Sequence, residues 1–212
     1  MNRNGPRYWL LAAGMVVVTL SLAGCHTLWQ CPILQGLSNW TIPSPLPPGG
    51  DTYTVVGFRD GIRFYIVKYN DNIYRSGDML AAQGADALKQ LGIKTIITTS
   101  SDEKQRSWAT QRGMGYVEIP FGWNDMTSSD LQQFIQAVDA NPGPICAISR
   151  TGTLRAGILV AYYRVKKEGW TVDKALDEYY RLAANFWDSI PMVETMKNTV
   201  AAAPATAPAG KP

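Results

Sequence analysis

The sequence predicts an α/β protein in which a mainly parallel central sheet is flanked by helices. From residue 73 onward, short runs of β-forming residues alternate with longer stretches whose apolar residues recur at helical spacing. Parallel strands need such crossovers, because each helix returns the chain to the edge where the next strand starts. Two runs, 93–99 and 144–148, carry no acidic residue and suit strands buried on both faces.

The chain begins with the three parts of an export signal over residues 1–24. Arg3 and Arg7 form a basic start, residues 9–20 are almost wholly apolar, and Leu-Ala-Gly leads into Cys25. This ending resembles the bacterial lipobox, so we expect Cys25 to be lipidated and the protein to be a cell membrane-anchored lipoprotein on the exported side, periplasmic or outer surface. The alternatives are a plain secretion signal or a membrane span, for which the apolar run is shorter than the roughly 20 residues required.

The predicted domain is flanked by two segments of biased composition. The one before it is rich in proline, and the one after it is rich in alanine and proline. Residues 25–51 hold several prolines followed by two glycines and are predicted to be an extended tether. Residues 200–212 are rich in alanine and proline and are predicted to be disordered. The globular domain is therefore expected at residues 52–199.

The first half of the domain is predicted to hold three strands and a helix. Residues 52–56 and 63–67 are rich in β-formers and are bracketed by turn-forming Asp-Gly and Asn-Asp-Asn sequences. A third strand covers 73–77. Leucines at helical spacing then predict a helix that ends at Gly92.

The second half continues the alternation to the end of the domain. After the strand at 93–99, we expect an exposed helix at 102–112, a strand at 115–120 and a helix capped by Ser128 or Ser129. The strand at 144–148 follows. The remaining segments predict helices at residues 156–167, after Thr171, and at 190–199.

A polar loop at residues 149–155 joins the strand 144–148 to the helix that starts at Ala156. Ligands of α/β sheets bind beyond the carboxyl ends of the strands, where this loop lies. The free amides and the positive end of the helix dipole favour an anion there. Arg155 can add a two-pronged hydrogen-bonded grip on a phosphate.

This loop resembles the signature loop of the cysteine-dependent protein tyrosine and dual-specificity phosphatases. The family pattern is His-Cys, five residues, Arg, then Ser or Thr, with a glycine in the middle, and Gly152 and Arg155 match it. The resemblance implies the tyrosine phosphatase-like fold and no cofactor, and we expect no metal site. It also implies the phosphate-binding residues, which are Ser149, Arg150, Thr151, Gly152, Thr153, Leu154 and Arg155.

Three positions depart from the family pattern. Ser149 stands where the family has its nucleophilic cysteine, Ile148 where it has histidine, and Ala156 where it has Ser or Thr. Cys146 cannot substitute, because Gly152 and not an arginine lies six residues after it. A serine hydroxyl is a weaker acid than a thiol and needs a neighbouring base, which Ile148 does not supply.

The resemblance offers two candidates for the family's general acid. The sequence Phe-Gly-Trp-Asn-Asp-Met at 121–126 has the chain position of the family's mobile Trp-Pro-Asp loop, with Asn124 in place of proline. Asp125 would then protonate the leaving group. Asp130 is a rival, and a third interpretation is that Asp125 only caps the next turn.

Two weaker matches extend the resemblance to residues 65–178. The Tyr-Arg-Ser-Gly sequence at 74–77 is similar to the opening strand of the bacterial members, where we interpret Arg75 as a structural pairing residue. Trp170 and Glu178 match the family's packing helix, and Glu178 is interpreted as structural as well.

The sequence therefore predicts a membrane-anchored, catalytically impaired pseudophosphatase that binds phosphorylated ligands through the 149–155 loop. The partner would be a phosphorylated protein or a small phosphate ester. The alternatives are an active phosphatase that hydrolyses such monoesters and a structural interaction domain with an empty pocket. A net charge of +3 gives no reason to expect nucleic-acid binding.

Overall fold

A computed structural model describes residues 49–182 and 186–202, with the side chains of residues 186 and 187 excepted. The predicted export signal, Cys25, nearly all of the predicted tether and all but the first residues of the predicted tail lie outside the described residues. Within the described part of the chain, no helix is long and apolar enough to cross a membrane.

Six strands form one sheet in the order β1-β2-β3-β6-β4-β5. The strands are β1 Thr54–Phe58, β2 Tyr65–Lys68, β3 Ile73–Gly77, β4 Thr95–Thr98, β5 Gly115–Glu118 and β6 Ile145–Ser149. The helices are α1 Ala82–Gln90, α2 Glu103–Thr110, α3 Ser128–Ala140, α4 Arg155–Glu168, α5 Val172–Arg181 and α6 Phe186–Ala202.

The predicted mainly parallel α/β fold is confirmed. The pairs β3–β6, β6–β4 and β4–β5 are parallel, and a helix precedes each of the strands β4, β5 and β6. The pairs β1–β2 and β2–β3 are antiparallel. Their connections are too short to hold the crossover that a parallel pair requires.

Several element boundaries differ from the prediction. β1 and β2 each begin two residues later than expected, and the turn between them includes Phe64 in the left-handed region at φ 61°. The helix after the signature loop begins at Arg155 itself. The helix α3 is capped by Thr127 and not by Ser128 or Ser129, because Thr127 and Asp130 form a reciprocal capping box.

Alternating side chains of β6 pack into two different apolar clusters, one on each face of the sheet. Ile145 and Ala147 belong to the cluster that includes the buried residues of α4. Cys146 and Ile148 belong to the cluster on the α1 and α2 face. Because side chains alternate along a strand, Ser149 faces the α4 side at the carboxyl end of β6.

Candidate functional site

The hydroxyl oxygen of Ser149 is held by backbone amides of the signature loop and of α4. It accepts hydrogen bonds from Gly152 N at 3.2 Å and from Ala156 N at 3.3 Å. The side chain is 2% exposed. Within the described residues, no imidazole or carboxylate is hydrogen-bonded to this hydroxyl, so no base is in place to take its proton.

Gly152 allows the loop to approach β3 more closely than any other residue would. Its φ is 76°, and a Cβ atom at this position would lie 2.4 Å from the carbonyl carbon of Ser76. Only glycine combines this backbone conformation with so little space. The glycine of the signature pattern thus has a direct steric reason at position 152.

Two backbone carbonyl groups hold the guanidinium of Arg155 in place. Its Nη1 donates to the oxygen of Thr99 at 3.0 Å and to the oxygen of Phe121 at 2.9 Å. Burial lowers the pKa of Arg155, and Asp78 is the largest charge that opposes this shift. An arginine nevertheless stays protonated in proteins. The Nε and Nη2 atoms of Arg155 have no hydrogen-bond partner among the described residues. Both can therefore donate to an anion.

The loop amides add further donors. Among residues 49–182 and 186–202, no backbone acceptor is hydrogen-bonded to the amides of the four loop residues Arg150, Thr151, Thr153 and Leu154. A loop with several unpaired amides that leads into a helix N-terminus is an arrangement that suits a tetrahedral oxyanion.

Arg75 lies in the core and donates a hydrogen bond to the 149–155 loop, in agreement with its predicted structural role. It is 1% exposed and donates from Nη1 to the Thr153 carbonyl oxygen at 3.1 Å and from Nη2 to the Leu182 carbonyl oxygen at 2.9 Å. Glu178 is also structural, since its carboxylate pairs with the buried guanidinium of Arg164 at 3.0 Å.

A pocket of about 460 Å³ opens above Ser149 and Arg155. It brings together three segments of the chain, namely the signature loop, the loop after β5 and the first turn of α6. The lining residues are Gly122, Trp123, Ser149, Arg150, Thr151, Leu154, Arg155 and Asp188. Five of the seven predicted phosphate-binding residues thus line the pocket, while Gly152 and Thr153 form the back of the loop.

The two candidate general acids occupy different places. Asp125 is exposed, and its carboxylate accepts a hydrogen bond from the amide of Gly122, which lines the pocket. Burial lowers the pKa of Arg155, and the Asp125 charge is one of the contributions that oppose this shift. Asp130 instead accepts hydrogen bonds from Thr127 N at 2.7 Å and Thr127 Oγ1 at 2.8 Å in the cap of α3. Asp130 therefore has a structural task, and Asp125 is the acid nearer to the pocket.

Cys146 is not an alternative nucleophile. It is fully buried on the opposite face of the sheet from Ser149. Burial raises the pKa of its thiol to about 12, although a hydrogen bond with Ser76 lowers it slightly. The thiolate is the reactive form, so this thiol is inert at neutral pH.

The sequence did not single out three residues at or near the pocket. Trp123 is 52% exposed and lines the pocket, and Asp188 reaches it from the first turn of α6. Asp78 follows β3. Burial raises the pKa of its carboxyl, and its Oδ1 atom has no hydrogen-bond partner among the described residues. The position of Trp123, two residues before Asp125 in the segment that resembles the family's Trp-Pro-Asp loop, is a sequence signal for the first of these. Asp188 and Asp78 reach the site through tertiary packing, which has no local signature.

Within the described ranges, no group of three or more His, Cys, Asp or Glu side chains is arranged to hold a metal ion.

The chain is similar to two curated proteins, while no protein-family model matches it. The dual specificity protein phosphatase TpbA of Pseudomonas aeruginosa strain UCBPP-PA14 is 25% identical over 118 residues, which is 55% of this chain and 53% of the relative. The same protein from a second P. aeruginosa strain is 24% identical over 115 residues, 53% of this chain and 52% of the relative. The chain thus spans about half the length of the curated relatives it matches.

Solved structures of phosphatases share the fold. The crystal structure of P. aeruginosa TpbA superposes with a TM-score of 0.60 at 20% identity, covering 70% of this chain and 91% of that one. A cysteine-to-serine variant of TpbA in complex with phosphotyrosine gives a TM-score of 0.58 at 20% identity, with 74% and 100% covered. A putative phosphatase from Shewanella putrefaciens CN-32 gives 0.56 at 21% identity, with 66% and 91% covered. The predicted resemblance to the cysteine-dependent phosphatases and their fold is confirmed.

Proposed function

We propose that this phosphatase-like protein binds phosphate monoesters in the 149–155 loop and hydrolyses them poorly or not at all. The observation that carries the proposal is Ser149, which stands at the family's attack position and lines the same pocket as Arg155. Its hydroxyl is held by two amides and contacts no base among the described residues. A cysteine at this position would ionise readily at a helix N-terminus, whereas a serine would not.

The binding half of the proposal is supported by Arg155 and the loop amides. Because Nη1 is fixed by the Thr99 and Phe121 carbonyl groups, the guanidinium is already oriented before a ligand arrives. Fixed donors lose little entropy when they bind, which favours affinity. TpbA with serine in place of a cysteine has been crystallised with phosphotyrosine, so a protein of this fold can hold a phosphate ester after such a change.

The proposal that hydrolysis is poor or absent follows from the chemical groups that this site lacks. Ala156 has no hydroxyl, and its amide is already bonded to Ser149. Asp125 is the proposed proton donor, but a general acid contributes little to turnover without an activated nucleophile. The proposed ligand is a phosphorylated protein or a small phosphate ester.

The anchoring predicted from the sequence is part of the same proposal. Lipidation of Cys25 would tether the phosphatase-like domain to a membrane on the exported side through the proline-rich segment 25–51. Mass spectrometry of the protein expressed in a bacterial host should show a diacylglyceryl group on Cys25. The Cys25→Ala variant should leave the membrane fraction, and a Cys25→Ala variant that stays there would contradict the lipid anchor.

Calorimetry and a phosphatase assay on the same preparation test the binding site. We expect heat on titration with phosphotyrosine or vanadate, and no product from p-nitrophenyl phosphate. Arg155→Ala should abolish the heat, while Arg181→Ala, a change at an exposed arginine of α5, should not. Turnover that is lost in Arg155→Ala would establish an active phosphatase, and the absence of any heat would indicate an interaction domain with an empty pocket.

A further inference from the structure

Trp123 presents an uncovered aromatic ring at the mouth of the phosphate pocket. The contrast with Trp170 is informative, because the Trp170 ring is covered by Arg164 at 4.3 Å and by Lys174 at 3.8 Å. No cation and no second ring stacks on Trp123 in the part of the chain that the structure describes. Trp123 is 52% exposed, so burial in the core does not explain it either.

Asp188 places a carboxylate in the lining of the same pocket. It is exposed, and it forms no ion pair with any described residue, Arg150 and Arg155 included. An acid near a phosphate site repels the phosphate, because like charges raise the energy of the bound state. A negative charge here favours binding only if the ligand also carries a positive charge.

We propose that the pocket selects phosphate monoesters that carry a positively charged amine. The phosphate lies on the 149–155 loop and Arg155, as in the proposed function on which this inference rests. The amine lies between the Trp123 ring and the Asp188 carboxylate. Aromatic faces attract alkylammonium groups, and a carboxylate beside the ring strengthens the attraction. Aminoalkyl phosphates such as phosphocholine and phosphoethanolamine have this chemistry.

The size of the pocket favours a small molecule over a peptide. Trp123, Asp188 and the loop line one cavity of about 460 Å³, within the usual range for small-molecule sites. Both charges of the ligand must therefore fit in the same cavity. The phosphate and the amine of an aminoalkyl phosphate are separated by only a short carbon chain, which meets this condition.

Calorimetry of the full chain with two matched esters tests the selection. Phosphocholine carries a quaternary amine, whereas glycerol 2-phosphate is of similar size and has no cation. We expect phosphocholine to bind about tenfold tighter, since a cation–π contact and an ion pair together contribute about 1–2 kcal/mol. Asp188→Asn should reduce this preference by about fivefold while leaving glycerol 2-phosphate bound equally well or better.

Three further variants separate this role from a structural one. Asp173 is also an exposed acid in the first turn of a helix, but it lies outside the pocket, so Asp173→Asn should leave the preference unchanged. Asp188→Glu should retain the preference. Trp123→Leu should reduce it, because the leucine keeps an apolar side chain without an aromatic face.

The possible results differ for the two proposals. If glycerol 2-phosphate and phosphocholine bind equally, or if Asp188→Asn leaves their ratio unchanged, the inference about the amine is wrong while the phosphate site stands. If neither ester nor inorganic phosphate binds, the proposed function is wrong and the inference falls with it. A phosphotyrosine peptide with a neighbouring lysine that displaces phosphocholine at much lower concentration would overturn the assignment to a small ester.

Discussion

The Nη1 atom of Arg155 donates to the carbonyl oxygen of Phe121 at 2.9 Å, which joins the signature loop to the loop after β5. The same atom donates to Thr99 O, so one side chain connects the ends of β4, β5 and β6. The loop after β5 carries both Trp123 and Asp125. The position of Arg155 and the position of that loop are therefore coupled through a single guanidinium group.

Arg155→Lys tests the bidentate hydrogen bonding of the guanidinium separately from its positive charge. We expect phosphate or vanadate affinity to fall by roughly tenfold to a hundredfold, because hydrogen bonds to charged groups contribute about 1.5–3 kcal/mol and lysine cannot reproduce the fork. Calorimetry measures the affinity, and thermal denaturation reports the lost bonds to Thr99 and Phe121. Arg181→Lys is the matched control on an exposed surface. Unchanged affinity in Arg155→Lys would show that the anion does not use the fork.

Gly152→Ala tests the close contact between the loop and β3. Gly92 provides a control, since its φ of 80° is similar and a Cβ there would meet nothing within 4 Å. Gly92→Ala should cost about 1–2 kcal/mol from the left-handed backbone alone. Gly152→Ala should cost at least 1 kcal/mol more, because its Cβ would lie 2.4 Å from Ser76. Chemical denaturation of both variants measures the difference, and equal costs would mean that β3 moves aside freely.

The fold and the position of the 149–155 loop could be predicted from the sequence because both have local signatures. The alternation of apolar runs reports which faces are buried, and the spacing of Gly152 and Arg155 marks the loop. The cap of α3 was missed, since Thr127, Ser128 and Ser129 can all accept an amide hydrogen bond and only the partner Asp130 decides among them. Asp188 had no signature, because the packing of α6 brings it to the pocket from outside the matched segment.

Restoring the cysteine should restore chemistry if the 149–155 loop binds phosphate. We expect Ser149→Cys with Ala156→Thr to hydrolyse p-nitrophenyl phosphate measurably, since loop amides and a helix N-terminus lower a thiol pKa to roughly 3.5–7.5. The rate should rise with pH through the pKa of this thiol, as the thiolate forms. Adding Arg155→Ala should abolish the activity. A folded double variant that binds vanadate without turnover would contradict the prediction.

Ile148→His is left out of this variant for a structural reason. Ile148 is fully buried in the cluster on the α1 and α2 face of the sheet. An imidazole there would replace an apolar group that packs against Ile96 and other buried side chains, and burying a polar group without a partner is unfavourable. A variant that adds Ile148→His to Ser149→Cys and Ala156→Thr should therefore have a lower melting temperature than the double variant.

Asp125 can be tested as a general acid only where the nucleophile works. In the Ser149→Cys, Ala156→Thr background, Asp125→Asn should lower kcat by about 10²–10⁴, the usual contribution of a positioned acid. Asp130→Asn should instead lower thermal stability through the α3 cap and leave kcat nearly unchanged. The opposite pattern would assign the proton to Asp130.

Asp78 should make both stability and anion affinity depend on pH. Burial raises the pKa of its carboxyl above that of an unfolded chain, so the folded state holds the proton more tightly. The stability from this group is complete below the unfolded pKa, near 3.9, and is lost as pH rises through the raised folded value. Asp78→Asn removes this loss, so its stability relative to wild type should increase between pH 4 and pH 7.

Because the Asp78 carboxylate also acts on Arg155, the variant should bind phosphate more tightly at neutral pH. Urea denaturation and calorimetry across this range measure both effects, with Asp173→Asn as control. A variant that is less stable at pH 7 than at pH 4, relative to wild type, would show that the ionised carboxylate is a stabilising partner.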